Sequence, residues 1–150
     1  MPKLNDEMKE LVERQPMTKL DFTGTWKLNH EKSSLQIPAP ESTIFVIKHS
    51  EPHFHLERTH VFGGNSDTLS IDLTTDGKAV VRNHGGFEIH ASLRWEGETL
   101  VFDSRLDRQG EQATNIVRYR LSDEGQIFIA EEQFRSREHN HDNRWVFDKQ

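Results

Sequence analysis

Arg58 and His60 stand two apart in the run HFHLERTHVF, with Phe54 and Leu56 preceding them at the same spacing. In an extended chain this period places all four side chains on one face, so a guanidinium and an imidazole share a surface with two large apolar groups. Carrying the alternation along the chain adds His49, Ser104, Asn115, Tyr119 and Glu132 to the same face. A charged group in an apolar phase costs several kcal/mol unless it is paired, so these residues point to an interior that holds water or a polar ligand head. They could equally serve a small enzyme, an isomerase, hydratase or lyase, acting on an apolar substrate. No nucleophile elbow, phosphate loop or paired-carboxylate signature accompanies them, so no catalytic residue is assigned.

Two His-x-His pairs are the other chemically suggestive groups. His53 and His55, or His139 and His141, would each supply two imidazoles to zinc if a neighbouring strand added a third ligand. His53 and His55 fall in the phase opposite to the apolar residues, however, and His139 and His141 sit among Glu138, Asn140 and Asp142. Nine histidines in 150 residues produce such spacings by chance. Adventitious binding is the expected behaviour of both pairs, and no metal, haem or other cofactor is predicted.

The elements that must position these groups are strands. Ten short runs are predicted, over residues 22–28, 43–49, 53–62, 68–74, 78–83, 87–95, 99–106, 113–121, 126–134 and 143–147. The turn signals between them include Glu51-Pro52, Gly63-Gly64, Asp76-Gly77, Gly85-Gly86, Glu96-Gly97, Gln109-Gly110 and Glu124-Gly125. Tight turns make consecutive strands antiparallel neighbours, and a long meander removes its edges by closing, so a barrel of eight to ten strands is expected. A β-sandwich would need more long crossovers than this chain has. Only residues 29–41, with Pro38 and Pro40, and the stretch SREHNHDN before the last strand read as long loops.

Inward positions by this phase include Trp26, Phe45, Ile47, Phe62, Ile89, Phe102, Phe128, Phe134, Trp145 and Phe147. From these and the polar set, the predicted ligand-binding residues are Phe45, His49, Phe54, Leu56, Arg58, His60, Ile89, Phe102, Ser104, Tyr119, Phe128 and Glu132. An interior space of about 300 Å³ or more would mark a container for a drug-sized ligand, whereas a filled interior would suit an interaction module.

Residues 5–15 differ from the rest, with Met8, Leu11 and Val12 at helical spacing, Asn5 or Asp6 as cap and Pro16 as stop. The chain is accordingly divided into a helix and linker over 1–18 and a barrel over 19–150. The helix is expected to dock on the barrel's end or on a second copy, which leaves monomer or homodimer open. A 33% apolar and 29% charged composition suits strands with one wet face. The net charge of −6, with lysines and arginines scattered singly, argues against nucleic acid or an anionic membrane as partner. There is no cysteine, which removes disulfides and thiolate chemistry. With no apolar leader in MPKLNDEMKELVERQ, a cytoplasmic location is expected.

The runs FTGTWKLN and KSS, the spacing His49-x-x-Pro52-x-Phe54-x-Leu56, TTDGK, Trp95-x-Gly-x-x-Leu-Val, Leu121-Ser-x-Glu-Gly and the terminal Val146-Phe-Asp-Lys form one series. Together they resemble a group of small, largely uncharacterised bacterial lipocalin-like proteins. More broadly the chain resembles the calycin barrels, which include lipocalins, fatty-acid-binding proteins and the avidin type. The likeness runs over roughly residues 20–149 and implies a barrel that binds a small apolar or amphipathic molecule. It also implies that Trp26 closes one end of the barrel under an arginine from the last strands, Arg144 or Arg118. Departures limit what carries over. Arg118-Tyr119-Arg120 replaces the Arg-x-Tyr pair that grips a carboxylate in fatty-acid-binding proteins, and a proline-rich loop replaces their helical lid. Fatty-acid specificity is therefore not implied, and neither is biotin.

Overall fold

The computed structural model describes residues 20–150, so the helix expected over 5–15 and its docking lie outside the described residues. Ten strands follow one another: β1 (Gly24–Leu28), β2 (Ser42–Ser50), β3 (His53–Phe62), β4 (Asn65–Thr74), β5 (Val80–His84), β6 (Phe87–Glu96), β7 (Thr99–Arg108), β8 (Glu111–Ser122), β9 (Ile127–Ser136) and β10 (Asn140–Lys149). All pairings are antiparallel between sequence neighbours, except that β1 also pairs with β10, Trp26 standing opposite Lys149. The meander thus wraps into a nearly closed barrel whose free edges, β4 and β5, face each other across a seam. One end of that seam is tied by the Asp76–Arg94 bridge and by the Gly77 N–H to Leu93 C=O bond of 2.9 Å. The other end is spanned by side chains, His84 Nε2 lying 3.1 Å from Asp67 Oδ1.

Alternation produces the core. In β2 the buried positions are Thr43, Phe45, Ile47 and His49, with Ile44 and Lys48 outward. Phe22, Trp26, Phe45, Phe54, Phe128 and Phe147 fill the end of the barrel where the chain enters. Phe128 sits in the middle of this cluster, its ring centroid 5.2–6.0 Å from those of Phe22, Trp26, Phe45, Tyr119 and Phe147. Each such ring contributes about 1.5–3 kcal/mol by leaving water. The Gly-x-Trp of β1 is explained by crowding. Gly24 has φ +157°, and a Cβ there would stand 3.3 Å from both the Trp26 indole and Lys149 Cε.

Two expectations are corrected, and the expected loop is given a place. Phe62, predicted inward, is 45% exposed because β3 runs past the barrel's rim before its turn. The stretch SREHNHDN is a tight hairpin, since β9 extends to Ser136 and β10 begins at Asn140; Ser136 N–H donates to His139 C=O at 2.8 Å. The proline-bearing segment 29–41 is strapped to β10 where β1 has ended. Ser34 and Arg144 exchange two backbone bonds of 2.8 Å, and Gln36 N–H donates to Asn143 Oδ1 at 2.7 Å. Among the described residues no helix is long and apolar enough to cross a membrane.

Candidate functional site

The half of the barrel opposite the aromatic cluster holds a partly enclosed cavity of about 70 Å³. Register explains how it is lined. Phe45, Arg58 and Leu69 lie side by side on β2, β3 and β4, and Thr43, His60 and Asp67 form the next row toward the rim. From the other wall come Val117 with Glu132, and Tyr119 with Ala130 and Trp145. Seven predicted ligand-binding residues meet here, namely Phe45, Leu56, Arg58, His60, Phe102, Tyr119 and Glu132.

The other five lie elsewhere. Phe54 and Phe128 belong to the aromatic cluster. Ile89 is buried in β6 away from the cavity, and Ser104 donates its hydroxyl to Asn115 C=O at 3.0 Å. His49 secures the entering chain. Its Nδ1 accepts from the Phe22 N–H at 3.1 Å, so the ring proton sits on Nε2, which donates to Glu51 Oε2 at 3.0 Å. Glu51 also accepts from the Thr75 hydroxyl and, at 2.6 Å, from the Trp95 indole, which closes that end with a polar cap.

Glu132 is held by three donors. Asn143 Nδ2 and Trp145 Nε1 give to Oε1, and Asn115 Nδ2 gives to Oε2, each at 2.9 Å. Because the Asn115 amide nitrogen must face the carboxylate, its Oδ1 faces the other way, buried and without a partner. Arg58 donates from Nη2 to Asp67 Oδ2 at 2.9 Å, while its buried Nε has no partner. Burial draws the Arg58 guanidinium below its ordinary pKa, against the pull of Asp67. Burial, with the neighbouring Arg58 charge, pushes the His60 imidazole down to about 4, so the ring is uncharged at neutral pH. Its Nδ1 lies 2.7 Å from the hydroxyl of buried Thr43. Burial and then the Glu132 charge raise the Tyr119 phenol well above its usual range, which keeps it protonated. Asp67, opposed by partial burial, is held below the usual carboxylate range by its bond from His84 and by Arg58.

Sequence reasoning missed Asp67 because β4 was expected to begin at residue 68, whereas it begins at Asn65. Asp67 lies two before Leu69 and four before Ile71, so the same alternation extends to it. The cation near Trp26 is also different from the one expected. Lys149 Nζ stands 5.7 Å from the Trp26 ring centroid, while Arg144 is on the outer face, 3.5 Å from Glu131, and Arg118 is likewise outward beside Glu96. Trp26 itself is fully buried and donates its indole N–H to Phe22 C=O at 3.0 Å.

Neither histidine pair lines the cavity. His55 Nδ1 is 2.6 Å from Asp72 Oδ1, and His53 is exposed beside it on the outer face of β3. His139 and His141 stack with ring centroids 5.9 Å apart, His141 lying in turn on Phe134. No group of three or more histidine, aspartate or glutamate side chains among the described residues is arranged to hold a metal ion.

No protein-family model matches the chain, and no curated protein does either. Solved structures do. A fatty acid transporter, REP1-NXSQ, superposes with a TM-score of 0.61 over 85% of this chain and 95% of its own, at 12% identity. Secretory abundant heat soluble protein 4 from Ramazzottius varieornatus gives 0.59 over 87% and 95%, at 14% identity. Human cRBP IV gives 0.58 over 87% and 99%, at 13% identity. At such identities the likeness is one of fold alone, a nearly closed, calycin-like antiparallel β-barrel.

Proposed function

We propose that this protein binds a small, largely apolar molecule inside the barrel, with the molecule's polar head among Arg58, His60 and Tyr119. The observation that carries the reading is the cavity's make-up. Its walls are apolar on most sides, formed by Phe45, Leu56, Leu69, Phe102 and Val117, and they also carry Arg58, His60, Asn115, Tyr119 and Glu132, two of which hold a buried atom without a partner. An orphaned buried donor or acceptor costs about 1–3 kcal/mol, which a ligand head would recover once the Arg58 or Asn115 side chain turned to meet it. The fold neighbour named as a fatty acid transporter lends support at the level of architecture.

Size narrows the reading. At about 70 Å³ the cavity falls well short of the space expected for a drug-sized ligand, because the aromatic cluster occupies the rest of the interior. The ligand is therefore compact, about one ring at most, since benzene alone fills an engineered cavity of roughly 150 Å³ and a ring here would sit partly in the open side. Binding is favoured over catalysis because the potential acid and base are already engaged: both Glu132 oxygens accept hydrogen bonds and His60 Nδ1 is occupied by Thr43.

Native mass spectrometry of the protein as purified, followed by titration with benzene and benzyl alcohol, tests the proposal. A co-purifying mass, or saturable shifts of the Trp145 indole resonance, is expected. A clean apo spectrum together with no shift by either probe would overturn it.

A further inference from the structure

We propose that the cavity selects a neutral head group that both donates and accepts hydrogen bonds, an alcohol or a primary amide, and discriminates against the matching carboxylate. The inference rests on the binding function proposed above and specifies its ligand class.

Charge is the first argument. A largely buried guanidinium ordinarily marks an anion site, but the Arg58 charge, with its side chain 23% exposed, is already met by Asp67 on the adjacent strand at 2.9 Å. Glu132 adds a second carboxylate to the same wall. His60 contributes no compensating charge at neutral pH. A ligand carboxylate entering the cavity would thus be a third anion facing one cation, in surroundings whose low polarity strengthens the repulsion.

Hydrogen-bond accounting is the second argument, and it is independent of the first. Arg58 Nε–H lacks an acceptor and Asn115 Oδ1 lacks a donor, and because neither atom is itself exposed to the cavity, each side chain must turn slightly for a ligand head to meet it. A carboxylate supplies the former and turns a lone pair toward the latter. A hydroxyl or a primary amide supplies both. The Tyr119 hydroxyl, which lines the same cavity and stays protonated, can give or take the remaining bond.

Asp67 provides the decisive handle. Its side chain is 54% exposed, so Asp67→Asn leaves the packed interior intact while unmasking the charge of Arg58. The test is an NMR titration of the full chain at pH 7.5, following the Trp145 indole N–H, with benzene, benzyl alcohol, benzamide and benzoate as probes. In the wild type, benzyl alcohol and benzamide are expected to bind at least tenfold more tightly than benzoate. In Asp67→Asn the benzoate affinity should rise at least fivefold with little change for benzyl alcohol. Benzoate binding as tightly as benzyl alcohol in the wild type, or unaltered benzoate affinity in Asp67→Asn, would overturn the inference. Benzene binding in either case leaves the container function standing, whereas failure of all four probes to move the indole resonance overturns the inference and, together with a clean apo mass spectrum, the container function as well.

Discussion

Trp145 Nε1 and Asn143 Nδ2 both donate to one oxygen of Glu132, each at 2.9 Å, while Asn115 occupies the other oxygen. Glu132 is therefore an anchor that fixes three side chains at the cavity, and the cost of losing it should depend on what remains to accept. Glu132→Gln keeps a carbonyl for Trp145 and Asn143, and the Asn115 amide can turn to accept from the new NH₂. Its expected cost is about 1 kcal/mol. Glu132→Leu orphans all three donors, at an expected cost of roughly 3–5 kcal/mol. Urea unfolding with unchanged m-values measures both, and equal costs for the two variants would show that the network is not what matters.

The depressed pKa of His60 predicts a stability slope in mild acid. The ring titrates near 6.5 when unfolded and at about 4 in the barrel, where burial and Arg58 outweigh Glu132 and Asp67. Between those values the unfolded chain binds more protons, so stability increases with pH there. The His60 contribution is whole above about pH 6.5 and is lost progressively as the pH falls toward 4. Partial exposure at the rim limits the loss to roughly 1–2 kcal/mol. The ring is faced by Thr43, Phe62 and Trp145 as well as by these charges. The carboxylates of Glu51 and Asp67, held low, act in the same direction but only below the usual carboxylate range. His60→Gln should flatten the profile between pH 6.5 and 4.5 and leave the steeper acid limb in place, as followed by thermal melts across pH.

Much of this site was legible because a barrel strand sorts its residues by a period of two. Arg58, His60, Tyr119 and Glu132 come from three strands, yet each shares a phase with buried apolar neighbours, and that alone brought them together. Three things could not be read the same way. Whether Arg58 carries net charge into the cavity depends on Asp67, whose place is set by the register across the Gly63-Gly64 turn. The cation over Trp26 depends on the pairing of β1 with β10, strands at opposite ends of the chain, which local patterning does not encode. Cavity volume is a third case, since alternation tells which side chains point inward but not whether Phe128 and its neighbours fill the space between them.

The Trp26 contact makes a comparison possible between two basic residues. Lys149 stands over the ring, whereas Arg144 is half-exposed and paired with Glu131. A cation over an indole contributes about 0.5–1 kcal/mol and an exposed ion pair less. Lys149→Ala should lower stability by about that amount and shift the Trp26 fluorescence, and Arg144→Ala should do neither. The reverse ranking would restore the arginine as the residue that closes the barrel.

On the proposed binding function, Phe102 is expected to limit the length of ligand the cavity accepts. Its ring is 7% exposed, lies 6.2 Å from that of Tyr119, and forms part of the cavity wall without touching the polar head site through any hydrogen bond. Replacing it with alanine opens the space the ring filled, at a cost of roughly 3–5 kcal/mol in stability. Phe102→Leu is the milder variant should the first not fold. The wild-type cavity of about 70 Å³ should bind benzyl alcohol at least as well as 3-phenylpropan-1-ol, because the two added methylenes find no room. In the enlarged cavity each added methylene is worth about 0.8 kcal/mol, so the longer alcohol should gain roughly tenfold relative to the shorter one. Titration of both alcohols into both proteins measures the ratio. An unchanged preference would mean that ligands enter some other part of the barrel, whereas a general loss of affinity for both would mean that the Phe102 ring is itself the main contact.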